Sequence, residues 1–331
     1  MDKDSFYLAL LGAELSVPNY ISRCKAKPAN TDTCNHAGKV AIVTGGSLGI
    51  GFHVSKSLVA RSIHVFIGGK CRKTGNDAIK AIRKDFPNAK VDFIHLNLGS
   101  MKSVDDFADD FLSRDLRLNI LINNAGIMFP PYELTEDGFE SQFQVNYLGH
   151  FHLTSRLLET LVQTGTENSW ARVVNVSSYM HIIGSPDLDN LENRAQAWYQ
   201  YSSHKAYADS KLLILASMYA LNRKLRKAHS CVSVCVLHPG VVRTDLWKHL
   251  TFIHKYPLGL IGKFLYLTPE QGADTTLYAA LSPEVESVSG CYYDNSQPCR
   301  SARLTYDEDF QDFVWDKTSA LVKNLAETNI E

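Results

Sequence analysis

Short apolar runs recur from Lys39 onward, separated by longer polar or amphipathic stretches. The runs are KVAIVT (39–44), IHVFIG (63–68), VDFIHL (91–96), NILIN (119–123), RVVNVS (172–177) and VSVCVL (232–237). Near-continuous apolar strands of this kind suit a parallel sheet covered on both faces. The stretches 50–61, 75–85, 101–114, 136–163 and 206–226 carry helical periodicity instead. Alternation of the two predicts an α/β fold: a doubly wound parallel sheet of the Rossmann type. A seventh short strand is expected at 291–293. No repeat shorter than the βα unit and no low-complexity segment is present.

The regular pattern delimits one catalytic domain over 39–294, flanked by an N-terminal extension and connector (1–38) and a C-terminal extension (295–331). Residues 6–15 are apolar apart from Gly12 and Glu14. That is well short of the roughly 20 apolar residues a membrane span needs. Asp2 and Asp4 argue against a secretory signal. A short amphipathic helix on a membrane surface or on the protein body stays open. The tail after Asp294 carries no readable chemistry and is taken as capping structure.

In such a sheet the ligand sits beyond the carboxyl ends of the strands. After the first run comes TGGSLGIG (44–51), at the entry to a helix. Glycine lets a pyrophosphate approach the backbone, and helix N–H groups attract phosphate. Thr44, Gly45, Ser47, Leu48, Gly49, Ile50 and Gly51 are therefore candidate cofactor-binding residues. The second run ends in Gly68, Gly69, Lys70, Cys71 and Arg72, where a carboxylate would receive a free ribose 2′-hydroxyl. Lys70 and Arg72 instead favour a 2′-phosphate, so the expected cofactor is NADP(H). Asn97 and Leu98 follow the third run and could receive adenine. NNAG (123–126) follows the fourth, and Asn124, Ala125 and Gly126 allow close backbone approach. Ser177 and Ser178 end the fifth. Pro239 and Gly240 turn the chain after the sixth, and Thr244 could bond a carboxamide.

Two Tyr-x-x-x-Lys pairs lie in YSSHKAYADSK (201–211). Tyr and Lys at that spacing share one face only within a helix. The amphipathic stretch begins near Ala206, so Tyr207 with Lys211 is the candidate acid and cation. Tyr201 with Lys205 falls among Ser202, Ser203 and His204, which read as loop, and Tyr201 is taken as a surface or lid residue. Reducing a carbonyl needs hydride on carbon and a proton on oxygen. A free Tyr titrates near ~10, and the ammonium of Lys211 would stabilise its phenolate. Ser178 would donate to the substrate oxygen as charge develops there, with Ser177 as the alternative. Asn146, in VNYLGHF, is mildly unfavourable inside a helix.

Composition narrows the classes. The chain has 331 residues, is 45% apolar and carries a net charge of −1, so no basic field for nucleic acid exists. Seven scattered cysteines form no metal-spaced cluster and suit a reducing compartment, on the cytosolic side. No metal is expected. The sequon at Asn175 falls inside an apolar strand and is discounted.

The ordered set of motifs resembles the short-chain dehydrogenase/reductase family over 39–293. The set is Thr-Gly-x3-Gly-x-Gly (44–51), Asn-Asn-Ala-Gly (123–126), Asn146, Ser178, Tyr-x3-Lys (207–211) and Pro-Gly with Thr (239–244). The resemblance makes Lys211 a ligand of the nicotinamide ribose and assigns Asn146 to a water-bridged proton relay through Lys211. It favours Ser178 over Ser177. Asn97 departs from the family's usual Asp. VNYLGHF, HPGVVRTDL and TPEQGADTTLYA look most like the retinol-dehydrogenase-like branch, which includes polyprenol dehydrogenase relatives. That branch implies a lipophilic alcohol and its aldehyde or ketone: retinoid, prenoid or steroid-like. Residues 246–267, rich in Leu, Phe, Tyr and Ile with interspersed Lys, would form a substrate lid that touches a membrane surface, as on endoplasmic reticulum or lipid droplets. A homodimer through the helices bearing Asn146 and Tyr207 is a further implication. The alternative function is a catalytically silent NADP(H)-binding sensor or scaffold.

Overall fold

A computed structural model describes residues 36–191, 201–242 and 267–328. The N-terminal segment 1–35, Thr244 and all of the expected lid except Leu267 lie outside the described residues. Strands β1 (Val40–Thr44), β2 (His64–Gly69), β3 (Val91–His95), β4 (Ile120–Asn123), β5 (Ala171–Val176), β6 (Val232–His238), β7 (Cys291–Asp294) and β8 (Gln297–Cys299) form one sheet in the order β3-β2-β1-β4-β5-β6-β7-β8. All pairs are parallel except β7 with β8. The crossover between β3 and β4 starts the sheet growing the other way from β1, which opens a crevice above β1 and β4.

Period-2 alternation sends side chains to opposite faces. Ala41 and Val43 join one core with α1 (Gly49–Ala60), α2 (Arg72–Asp85) and α6 (Pro269–Leu281). Val40 and Ile42 join the other, with α3 (Met101–Leu112), α4 (Gly149–Thr164), α5 (Ser203–Lys227) and α7 (Glu308–Thr328). Both faces of the sheet are thus covered, which is why its strands read as continuous apolar runs.

The helix expected over 136–163 begins at Ser141, and its first turns are π-helical over Phe143–Leu148 before α4. The delay has a physical cause. Glu140 accepts hydrogen bonds from the backbone N–H groups of Gln142 (3.0 Å) and Phe143 (2.7 Å), so it caps the helix. Likewise α5 starts at Ser203, not Ala206, because the Ser202 hydroxyl caps it by accepting from Lys205 N–H. The strand β8 is not expected from the sequence, and it carries Pro298. It pairs at the sheet edge, where a missing N–H does no harm. Asn295 and Ser296, at φ 53° and 57°, make the two-residue turn that joins it to β7.

The C-terminal helix α7 lies along the π segment, α4 and α5. The Tyr147 and Thr318 hydroxyls meet at 2.7 Å, and Phe151 packs edge-on against Trp315 at 4.9 Å between centroids. Arg223 pairs with Glu308 and Asp312. The implied dimer face on these helices is therefore overlaid by the chain's own tail. Among the described residues no helix is long and apolar enough to cross a membrane, no cluster of metal-binding side chains exists, and Cys71, Cys231, Cys235, Cys291 and Cys299 are free. Asn175 is buried and bonded to Asn123 and to Cys235 O, out of reach of a glycan.

Candidate active site

A cavity of about 490 Å³ opens at the carboxyl ends of the strands. Its wall includes the turn after β1 (Gly45, Ser47, Leu48, Gly49, Ile50 and Gly51), the end of β2 (Gly69 and Lys70), the segment after β4 (Asn124, Ala125 and Gly126) and Ser178, Tyr207, Lys211, Pro239 and Gly240. Gly45 and Gly49 hold φ of 64° and 53°, a region that costs most other residues dearly. A Cβ on Gly51 would lie 2.3 Å from Gly45 O and 2.6 Å from Asn124 Nδ2. The turn is therefore pressed flat against the β4 loop. No side chain caps α1 at Leu48 and no acid sits in its first turn, so its N-terminus points positive and uncapped at the cavity. This cradle fits a dinucleotide pyrophosphate.

Thr44 closes the turn from beneath. Its hydroxyl oxygen accepts from Asn124 N–H (2.9 Å) and Ala125 N–H (3.0 Å), and Asn124 Nδ2 donates to Thr44 O (2.9 Å). With both lone pairs used, the Thr44 proton points to His150 Nε2 at 2.9 Å, and His150 Nδ1 then donates to Asn146 O at 3.0 Å. Burial, with the nearby Lys211 charge as a smaller cause, lowers His150 to about 4. It is a neutral strut between the cofactor turn and the helix of Asn146.

Tyr207 and Lys211 lie on one face of α5, with Lys211 Nζ 5.6 Å from the Tyr207 ring centroid. Lys211 Nζ donates to Val176 O at 3.0 Å, and burial draws its pKa from 10.5 to about 7. Asn146 is fully buried. Its Oδ1 accepts from Ile127 N–H (2.8 Å), and its Nδ2 donates to Ile127 O and Ser210 Oγ. A Cβ on Gly126 would sit 3.2 Å from Asn146 Oδ1 and 3.7 Å from Lys211 Nζ, so both groups border the same point of the wall.

The two serines part company. Ser177 is buried and donates to Lys211 O at 2.9 Å. The Ser178 oxygen accepts from Met180 N–H at 3.3 Å, which leaves its own proton for another acceptor. Met128 and Met180 line the cavity beside them, and both pack with Phe129 and Tyr207.

Residues 39–188 match the model of the short chain dehydrogenase family. The chain is 38% identical to human polyprenol dehydrogenase over 308 residues, covering 93% of this chain and 92% of that protein. It is 38% identical to human retinol dehydrogenase 13, covering 86% and 85%. A crystal structure of an uncharacterized protein from Mycobacterium paratuberculosis superposes at TM-score 0.72 with 30% identity, covering 90% of this chain and 98% of that one. Actinorhodin polyketide ketoreductase, solved with NADPH, superposes at TM-score 0.60 with 20% identity, covering 77% and 94%. The chain belongs to the short-chain dehydrogenase/reductase family. Within it the chain sits in the retinol- and polyprenol-dehydrogenase-like branch. It is an oxidoreductase that interconverts alcohol and carbonyl groups with a nicotinamide dinucleotide.

Set against this family site, several sequence-derived positions stand back from the cavity. Thr44 is fully buried beneath the turn and serves it structurally. Leu98 is packed in the core, where a Cβ on Gly149 would touch its backbone. Asn97 Oδ1 accepts from Gly99 N–H at 3.2 Å in a local turn, and Arg72 begins α2 outside the cavity wall. Tyr201 is half-buried, and its hydroxyl donates to Glu140 at 2.8 Å and accepts from Gln142 Nε2 at 2.9 Å. Lys205 pairs with Asp209 on α5. Sequence reasoning passed over His150, His181, His238 and Met180. Nothing in their local pattern marks them, since each histidine also bonds a group far along the chain: Thr44 for His150, Ala302 for His181 and Tyr179 for His238.

Proposed function

We propose that the protein is an NADP(H)-dependent oxidoreductase acting on a lipophilic alcohol and its aldehyde or ketone, with Tyr207 as acid and base. One observation carries this reading: Tyr207, Lys211 and Ser178 share a single cavity wall with the glycine turn and Lys70. A bound nicotinamide dinucleotide supplies hydride to the carbonyl carbon, or accepts it in the reverse direction. Ser178 donates its free proton to the substrate oxygen. Tyr207 delivers a proton to that oxygen in reduction and withdraws it in oxidation. Burial lowers the pKa of Lys211 to about 7. Its charged form favours the phenolate, and its neutral form can take up a proton. Asn146 supports a water-bridged route past Gly126, because its Oδ1 borders the same point as Lys211 Nζ.

Preference for NADP(H) is supported by Lys70 in the cavity wall and by the want of any acid between Gly68 and Lys73. Lys70→Asp should weaken NADPH binding by about tenfold, ~1.4 kcal/mol, while leaving NADH binding unchanged. A lipophilic substrate is supported by the apolar share of the wall (Met128, Val176, Met180, Val241 and Val242) and by the names of the relatives. We extend the same reading to residues 246–267 as the lid over that substrate.

The decisive experiment is NADPH oxidation across a panel of prenals, retinals and steroid ketones with the wild type and Tyr207→Phe. The variant should keep NADPH binding and lose turnover by about 10²-fold or more. Comparable turnover in the variant would remove Tyr207 from the mechanism. Wild-type protein that binds NADPH but turns over no carbonyl would favour the scaffold reading instead.

A further inference from the structure

We propose that His181 is a positioning residue that braces Ser178 against the C-terminal segment and so fixes the hydroxyl that meets the substrate oxygen. The inference rests on the oxidoreductase reading and extends it to a side chain outside the cavity wall. His181 sits in the short 3-10 turn Tyr179–Ile183 and is fully buried. Its Nε2 lies 3.1 Å from Ala302 N. A backbone N–H only donates, so Nε2 is the acceptor and the ring proton is on Nδ1. There it donates to Ser178 O at 2.6 Å, a carbonyl that also accepts from His181 N–H at 3.1 Å. Edge-on packing against Tyr292 of β7, at 4.9 Å between centroids, holds the ring plane.

The far end of this brace is itself anchored. Ala302 O accepts from Thr305 N–H (3.0 Å) and Thr305 Oγ1 (2.7 Å). The neighbouring Ser301 hydroxyl meets Tyr219 OH at 3.0 Å and Thr305 Oγ1 at 2.8 Å. Tyr219 belongs to α5, the helix that carries Tyr207 and Lys211. A closed circuit therefore runs from Ser178 through His181, Ala302 and Ser301 to α5. It sets the serine in register with the tyrosine, although the two arrive on different elements. The neighbours of Ser178 are tethered separately, Ser177 Oγ to Lys211 O at 2.9 Å and Tyr179 N–H to His238 Nδ1 at 3.3 Å, while His181 is the side chain that holds the Ser178 carbonyl itself. An apolar side chain at 181 would fill the space but leave Ala302 N–H buried without its acceptor.

The test is a double-mutant cycle read by NADPH oxidation with the best carbonyl of the panel. His181→Leu should lower kcat by roughly 10- to 10²-fold, the range a small misplacement of a reacting group produces. NADPH affinity and KM should hold within about twofold, since neither depends on the serine proton. His181→Asn, whose amide nitrogen replaces Nδ1, should recover most of the loss. In a Ser178→Ala background, His181→Leu should add no further loss beyond about twofold. An equal loss in both backgrounds, or full activity in His181→Leu, would overturn the proposal. A second measurement does not depend on turnover or on any variant folding. Side-chain 15N NMR of the wild type should show His181 as the Nδ1–H tautomer. An Nε2–H signal would refute the brace even if the enzyme is active. A protein with the Nδ1–H tautomer but no carbonyl turnover would instead refute the oxidoreductase reading.

Discussion

Lys211 is the residue on which burial and chemistry pull in opposite directions. Its ammonium is held down to about 7 against an ordinary 10.5 because it is buried against Val176 O. Between these values the folded protein binds fewer protons than the unfolded chain, so stability rises with pH across that window. The contribution is complete above pH 10.5 and is lost as pH falls to about 7. Lys211→Met removes the titration. Thermal melts should find the variant more stable than wild type at pH 6.5, by about 2–5 °C, with the gap closing or reversing by pH 10. A gap independent of pH would mean the ammonium is not buried at a cost. Gly51 makes a sharper steric point. Its added Cβ meets backbone, which cannot swing aside. Gly51→Ala should weaken NADPH binding by about tenfold or more, read by fluorescence titration. Both positions were legible in the sequence, since a glycine turn and a four-residue Tyr–Lys spacing are local signals. His181 and His150 were not, because the second partner of each, Ala302 N and Thr44 Oγ1, is brought close only by folding.

At the level of elements, the entry to the π segment is the least ordinary feature. Glu140 is fully buried, and burial raises its carboxyl above the usual range even though two backbone N–H groups and Tyr201 OH bond to it. Beside it, Gln142 accepts from Phe129 N–H at 3.0 Å and donates to Ser203 O at 2.9 Å. Phe129 holds a left-handed φ of 56°, an uncommon and strained state for a bulky residue. Its ring packs edge-on against Tyr207 at 5.3 Å. The polar network thus holds a strained residue against the candidate acid and ties it to the start of α5. Glu140→Ala strips the cap and orphans buried donors. It should cost about 1–3 kcal/mol, measured by urea denaturation, and Glu140→Gln should cost less. Helical periodicity alone suggested a start near 136, because nothing in the spacing of apolar residues reveals a buried glutamate acting as a cap.

Over the whole molecule, α7 decides what the outer face of α4 and α5 can do. Tyr147, Phe151, Trp315 and Thr318 interlock there, and Lys224 lies 5.3 Å above the Trp315 ring. Deleting 303–331 would uncover this apolar surface, which then needs another partner. Light scattering after size exclusion should show the truncated protein associating or aggregating while the full chain does not pair through this face. Unchanged elution of the truncation would show that the uncovered surface is not adhesive. The tail read from sequence as simple capping is therefore also the second anchor of the Ser178 brace.

The amino-acid sequence by itself determined the alternation of strands and helices, the glycine turn, the basic end of β2 and the Tyr207–Lys211 pair. These are written in spacings of a few residues, where backbone geometry converts sequence distance directly into position. Only the tertiary structure decided which serine keeps a free proton, which histidines act as struts and what covers α5. Such choices depend on groups such as His181 and Ala302, 121 positions apart. Contacts across that span leave no periodic trace in a chain, because no local geometry fixes them.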